Sequence, residues 1–177
     1  IIPIGGSTGL VGGQIALQSD HITLSLEKLN TINFHKDSNL LYVQSGAILS
    51  NIKNLAFNHE RLFPLSLASE GSCQIGGNLA TNAGGLNVIK YGNVRDLCLG
   101  LEAVLPCGQI VSTMKPLKKN NMGFDLKNLL IGSEGTLGII TSTILKTFPI
   151  PKDPVSIFLS INNLEDVLFV FEKISRE

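Results

Sequence analysis

The apolar positions change period several times along the chain, and each change marks an element. Ile1-Ile2-Pro3-Ile4 is an apolar run that reads as a buried strand, and residues 22–26, Ile22-Thr23-Leu24-Ser25-Leu26, alternate apolar and polar and predict a strand with one buried face. Residues 31–34 and 40–44 flank the polar stretch 35–39 and predict a hairpin. Ile48, Leu49, Ile52, Leu55 and Ala56 recur at helical spacing, which predicts a helix over about residues 47–58. Further on, residues 97–105 and 109–113 surround Pro106-Cys107-Gly108, a second hairpin signal; residues 124–130 predict a short helix and residues 138–147 a strand.

Pro149, Pro151 and Pro154 then interrupt the chain and mark a boundary. Beyond them residues 155–161 alternate as a strand, and Leu164, Val167, Leu168, Phe171 and Ile174 form a helical stripe. Asn162 with Glu165 has the spacing of a capping box, Glu165 and Asp166 load the first turn, and Lys173 and Arg176 load the last. The order of strands, hairpins and helices predicts an α+β fold, with one unit over residues 1–150 and the first strand and helix of another over 151–177. An apolar strand at the very first residues implies that the chain opens inside a larger folding unit, as a fragment would.

Composition narrows the function classes. Of 177 residues, 14 are Lys or Arg and 14 are Asp or Glu, so the net charge is zero, and charged residues make up 16% against about 25% in ordinary domains. That balance argues against nucleic acid or an anionic membrane surface as partner, since both recruit a basic excess. Apolar residues at 44% and a mean hydropathy of +0.27 argue against disorder. Cys73, Cys98 and Cys107 form no metal or redox spacing and no disulfide framework, which makes a reducing, cytoplasmic compartment the default, peripheral to a membrane at most. Neither a signal peptide nor a membrane span is visible.

Glycine is the unusual residue: 18 are present, and 13 of them cluster in residues 1–19, 71–89 and 132–138, where Glu134 is the one charged side chain. Glycine costs backbone entropy on folding, so its concentration calls for tight turns or close approach of backbone to something else. Gly5-Gly6-Ser7-Thr8-Gly9 follows an apolar run, where a strand would deliver backbone N–H groups and two hydroxyls to an anion. Gly76-Gly77-Asn78 and Thr81-Asn82-Ala83-Gly84-Gly85 add uncharged amide and hydroxyl groups. Three neutral segments of this kind suit a long ligand with a diphosphate in its middle. The letters exclude a P-loop, which needs G-x-x-x-x-G-K-[ST], and the Rossmann G-x-G-x-x-G is missing too; Glu27 falls near the ribose-binding spacing but follows a strand-like stretch.

Single residues carry less. Glu134 reads as a cofactor contact or a local brace in preference to a solvated carboxylate. His21, His35 and His59 are scattered and read as surface or hydrogen-bonded structural residues, so none is nominated as a base. Tyr91 either stacks near a ligand or packs. Cys73 beside Ser72 reads either as facing the ligand or, the safer reading, as a small buried residue, and Lys118 and Lys119 read as a solvated face.

As a group the motifs resemble the FAD-binding domain of the flavoproteins related to vanillyl-alcohol oxidase and p-cresol methylhydroxylase. The letters that carry the resemblance are Pro3-Ile4-Gly5-Gly6-Ser7-Thr8-Gly9-Leu10-Val11-Gly12-Gly13, Ile75-Gly76-Gly77-Asn78-Leu79-Ala80-Thr81-Asn82-Ala83-Gly84-Gly85, Tyr91-Gly92, and Ile131-Gly132-Ser133-Glu134-Gly135-Thr136-Leu137-Gly138-Ile139-Ile140-Thr141. They are similar above all to the branch that holds the glycolate oxidase large subunit, D-lactate dehydrogenase and D-2-hydroxyglutarate dehydrogenase, and they run in order to about Pro154.

The resemblance implies FAD bound across two α+β lobes, followed by the first strand and helix of a truncated cap domain. It places Gly5, Gly6, Ser7, Thr8, Gly9 and Leu10 at the diphosphate. Gly71, Ser72, Ile75, Gly76, Gly77, Asn78 and Thr81 fall on the ribityl and flavin side, with Gly84, Gly85 and Tyr91 beyond them. Glu134, Gly138, Ile139 and Ile140 fall beside the adenosine. Some relatives attach FAD through a His after the first Gly-Gly pair; Ser7 stands there, which implies non-covalent binding. A segment rich in Arg, Asp, Thr and Tyr in that branch reads Lys118-Lys119-Asn120-Asn121-Met122-Gly123-Phe124-Asp125 here.

The implied activity is oxidation of a small 2-hydroxy acid by hydride transfer to flavin, with an electron acceptor left open. The catalytic base and any metal ligands are expected in the cap, so none is assigned in this chain. The alternatives are a non-catalytic flavin-binding fragment and an NADPH-dependent reductase of the same fold.

Overall fold

The computed structural model describes residues 1–117 and 121–175; Lys118, Lys119 and Arg176, assigned above to a solvated face and a last helical turn, lie outside the described residues. The chain begins with β1 (Ile2–Ile4), which pairs in parallel with β2 (Thr23–Ser25), Pro3 opposite Leu24. The loop between them carries the first glycine cluster. Both strands stand where the alternation predicts them, but β1 is only half-buried and β2 is exposed throughout, with Leu24 at 41%. A two-stranded pair lacks the second layer that would bury a face, so the buried face expected of residues 22–26 does not form.

The elements that follow are β3 (Ile32–His35), β4 (Leu40–Gln44), α1 (Leu49–Asn58), β5 (Arg61–Leu62), α2 (Ile75–Ala80), α3 (Val88–Tyr91) and α4 (Val94–Leu97). After them come β6 (Cys98–Val104), β7 (Ile110–Ser112), α5 (Leu126–Leu130), β8 (Ile139–Lys146), β9 (Phe148–Pro149) and α6 (Leu164–Ser175). Five strands form one antiparallel sheet in the order β3-β4-β8-β6-β7, so that β8 lies between the two predicted hairpins. β5 and β9 make a separate antiparallel pair.

The core lies where α1 and α2 cover this sheet. Leu49, Ile52 and Ala56 of α1, one helical face, are fully buried with Leu41 and Val43 of β4, Leu101 and Ala103 of β6 and Leu145 of β8. Phe63, Leu65, Ile75 and Leu79 complete the layer. Each large apolar side chain removed from water in this way contributes about 1.5–3 kcal/mol before entropy is counted. No side chain caps the start of α1; instead Leu49 N–H donates to Cys73 O at 3.0 Å and Ser50 N–H to Glu70 O at 2.9 Å. The Lys53–Glu70 ion pair adds to this contact. The helix start thus fixes the turn that opens the second glycine cluster.

Two expectations past Pro149 need correction. Residues 155–161 form no strand: they are irregular, and all but the half-buried Ile161 are exposed, because a strand needs a neighbour for its N–H and C=O groups and none lies alongside among the described residues. α6 forms as predicted, but Asn163, not Asn162, caps it. Asn163 Oδ1 accepts from Asp166 N–H and its Nδ2 donates to Asp166 Oδ2, both at 2.8 Å.

Candidate functional site

The second glycine cluster contains a helix that periodicity does not announce. Gly76 and Gly77 each lower helix propensity by about 1 kcal/mol, yet α2 forms because both of its ends are held from outside. At its start, Ile75 N–H donates to Ala47 O at 3.0 Å and Gly76 N–H to Ser45 O at 2.8 Å. At its end, the carbonyls of Leu79 and Ala80 accept from Gly132 N–H at 3.0 Å and Glu134 N–H at 2.9 Å. The third cluster therefore docks on the C-terminal end of α2 and also reaches β1, since a Cβ at Gly135 would lie 2.8 Å from Pro3 Cγ.

These contacts bring the three glycine-rich segments around one cleft of about 300 Å³. Gly5, Gly6, Ser7, Thr8 and Gly9 form one wall, Gly76, Gly77, Asn78 and Thr81 the floor, and Glu134, Gly138, Ile139 and Ile140 the opposite wall. Seven residues expected at the ligand do not line it. Leu10 points to solvent, Ile75 is fully buried in the core, and Gly71, Ser72, Gly84 and Gly85 stand away from the lining. Tyr91 is outside the lining and packs edge-on against Phe148, ring centroids 4.8 Å apart.

The lining also includes Cys73, for which the sequence left a ligand-facing reading open, and two residues that letter patterns do not single out, Ser45 and Gln74. Ser45 arrives from the end of β4, where its buried hydroxyl donates to Ile140 O and ties floor to wall. Cys73 and Gln74 arrive from the turn held by α1. Gln74, adjoining the second cluster, was open to discovery by position; Ser45 gave no such signal.

Electrostatically the cleft is nearly neutral. Glu134 is the one charged side chain on its surface, and no group of His, Cys, Asp and Glu among the described residues suits a metal ion. Among the described residues the N–H groups of Gly6, Ser7, Thr8 and Gly9 donate to no protein acceptor. Ser7 holds φ +52°, and a Cβ at Gly6 would lie 2.1 Å from Ser72 O. Successive free N–H groups on a loop after a strand form an anion-binding concavity. Two acceptors beside this loop and on α2, Gln74 Oε1 and Asn78 Oδ1, are buried without a partner. Unsatisfied buried acceptors call for a donor from a ligand. Gly77 faces open space, with nothing within 4 Å of a Cβ placed there, so backbone can meet a ligand directly.

Donors for an anion at one wall, acceptors for hydroxyls or N–H groups at the floor, and no fixed cation describe a dinucleotide-binding α+β domain. A group with a central diphosphate, a polyol and two ring systems fits this donor set. The class has a particular member: the chain belongs to the FAD binding domain family, whose model matches residues 1–114.

Relatives agree. The chain is 43% identical over 170 residues to the mitochondrial D-2-hydroxyglutarate dehydrogenase of Rattus norvegicus, covering 96% of this chain and 32% of that protein. It is 42% identical over 177 residues to a mitochondrial protein of Schizosaccharomyces pombe named as a D-lactate dehydrogenase, covering 98% of this chain and 33% of that one. Among solved structures, alkyldihydroxyacetonephosphate synthase superposes with a TM-score of 0.74 at 26% identity, covering 85% of this chain and 27% of that one. The chain spans about a third of the length of the curated relatives it matches. No helix among the described residues is long and apolar enough to cross a membrane.

Proposed function

We propose that this chain holds the flavin in an FAD-dependent dehydrogenase of small D-2-hydroxy acids, of the D-lactate or D-2-hydroxyglutarate type. The observation that carries the reading is the presence of unbonded N–H groups at Gly6, Ser7, Thr8 and Gly9 and unpartnered acceptors at Gln74 and Asn78 in one nearly neutral cleft. The names of the relatives supply the substrate class.

Bound FAD supplies a two-electron acceptor for the hydride from the substrate α-carbon. The 5–9 loop neutralises the diphosphate with backbone dipoles and the hydroxyls of Ser7 and Thr8. Asn78 and Gln74 accept hydrogen bonds from the ribityl chain or a ring N–H, and the wall from Glu134 to Ile140 borders the adenosine. Ser7 provides no imidazole for a covalent link, so the cofactor is held by these contacts alone. Oxidation of a hydroxy acid also needs a base for the hydroxyl proton and a cation for the carboxylate. The lining holds no cation, and its one carboxylate, Glu134, is assigned to the adenosine wall, so both roles are assigned to the two thirds of the relatives' length that this chain does not span. Three unpaired thiols fit a reducing compartment, cytoplasm or mitochondrial matrix.

Flavin titration tests the reading. The chain with its natural flanks is expected to quench FAD fluorescence and to release unmodified FAD on denaturation. Absence of any FAD-specific spectral change overturns it. Assay of the full-length protein against D-lactate, glycolate and D-2-hydroxyglutarate then assigns the substrate, and no turnover with any of them removes the 2-hydroxy-acid assignment.

A further inference from the structure

Arg95 does not line the cleft, yet it is bonded to two of the segments that form it. On one side α4 reads the turn at the end of the second glycine cluster: Val94 N–H donates to Ala83 O at 2.9 Å and Arg95 N–H to Asn82 Oδ1 at 3.2 Å. Thr81 and Ala83 of that turn line the cleft. Reciprocal hydrogen bonds between Asn93 and Asp96 hold the start of α4 rigid. On the other side the Arg95 guanidinium donates through Nη1 to Asn128 O and through Nη2 to Ile131 O at 2.6 Å. These carbonyls belong to the C-terminal end of α5, where the helix leaves acceptors open and favours a positive charge. A planar guanidinium gives each of the two carbonyls its own nitrogen in a fixed geometry, whereas an ammonium must serve both from one flexible point.

The turn that follows Ile131 needs this hold. Gly132, Glu134 and Gly135 have φ values of +83°, +52° and +79°, so three of four consecutive residues are left-handed and one of them is not glycine. Backbone in such conformations persists only where its surroundings over-determine it. The turn donates to Leu79 O and Ala80 O at its middle, and Arg95 fixes its entry at Ile131. Glu134 and Gly135 then enter the cleft wall.

We propose that Arg95 is a positioning residue for the cofactor: it clamps the 131–135 turn to the 81–83 turn and so sets the cleft at its adenosine end without touching FAD. This rests on the FAD reading of the cleft and adds a distant residue to it.

The test uses Arg95→Ala and Arg95→Lys with natural flanks present. Amide hydrogen exchange over residues 131–136 is expected to accelerate about tenfold or more in Arg95→Ala while α1 keeps its protection. FAD affinity is expected to fall about tenfold while FMN affinity stays within about twofold, because FMN lacks the adenosine half. Arg95→Lys is expected to lie between, since one flexible ammonium replaces two fixed donor nitrogens. Unchanged exchange at 131–136, an equal rise of exchange in every segment, or parallel loss of FAD and FMN affinity each overturns the proposal. A wild-type protein that binds neither flavin defeats the FAD reading itself, a result distinct from any of these.

Discussion

A Cβ placed on Gly76 would lie 2.5 Å from the Cβ of Ser45, and the Gly76 N–H donates to the Ser45 carbonyl at 2.8 Å. The floor of the cleft is thus pressed against the end of β4 with no room for a methyl group, while the next glycine faces open space. The two positions separate folding from binding.

Gly76→Ala is expected to destabilise the fold by about 1–3 kcal/mol through overpacking, lowering Tm by several degrees. Gly77→Ala, free of any clash, is expected to leave Tm unchanged or slightly raised, since Ala favours the helix by about 0.5–1 kcal/mol. It is nevertheless expected to weaken FAD binding about tenfold, because the new methyl group occupies ligand space. Melting curves with and without FAD check both. Equal behaviour of the two variants contradicts the assignment of Gly77 to the ligand face.

Asn78 is 6% exposed, and its Oδ1 meets no donor within the chain. Asn78→Ala is expected to change the stability of the FAD-free protein by less than about 1 kcal/mol, since no internal hydrogen bond is lost at Oδ1. FAD affinity is expected to fall about 10-fold or more, the usual cost of losing a buried bond to a ligand. Isothermal titration gives the affinity and urea unfolding the stability. An FAD affinity within twofold of wild type removes Asn78 from the cofactor contacts.

The three thiols are expected to differ in reactivity. Cys107 is exposed in the turn between β6 and β7, whereas Cys73 and Cys98 are buried. Burial pushes the Cys98 thiol above the usual thiol range, partly offset by its contact with Thr143 Oγ1 at 3.3 Å. A disulfide reagent at pH 8 is expected to modify one thiol of the native protein rapidly and all three after denaturation. As pH rises, the unfolded Cys98 thiol ionises before the folded one, so its contribution to stability is constant below about pH 9 and declines above it. The urea midpoint is therefore expected to fall between pH 8 and pH 10 more for wild type than for Cys98→Ala. Fast modification of all three thiols in the native state counts against the buried placement.

Much of the main sheet was legible because its hairpins announce themselves. The polar run 35–39 and Pro106-Cys107-Gly108 break the strands where the structure turns, and the stripe from Leu49 to Ala56 marks α1. Misreadings arose where the pattern is satisfied but the neighbour is missing. Leu24 alternates like a half-buried residue in a pair without a covering layer, and residues 155–161 alternate beside no partner strand. Asn162 and Asn163 precede Glu165 and Asp166 in the same spacing, so only the hydrogen bonds of Asn163 choose the frame. α2 was hidden by its glycines, since what holds it comes from Ser45, Ala47, Gly132 and Glu134 rather than from its own letters. The cleft was legible as three neutral glycine clusters. Its selection among their neighbours, with Gln74 in and Ile75 out, follows from the phase of α2, which composition does not carry.

The place of β8 has a consequence for biogenesis. The strand at the centre of the sheet is the last of its five to leave the ribosome, so β4 presents an unpaired edge while residues 45–138 are being made and β6 while residues 105–138 are. Open edges template aggregation, and long-range pairing of this kind is slow. Ile140, whose carbonyl receives the Ser45 hydroxyl, belongs to that late strand, so cleft closure and edge sealing are one event. A nascent chain halted before Lys146 would be both sticky and unable to take up flavin, which makes cofactor incorporation a late checkpoint in the life of this domain.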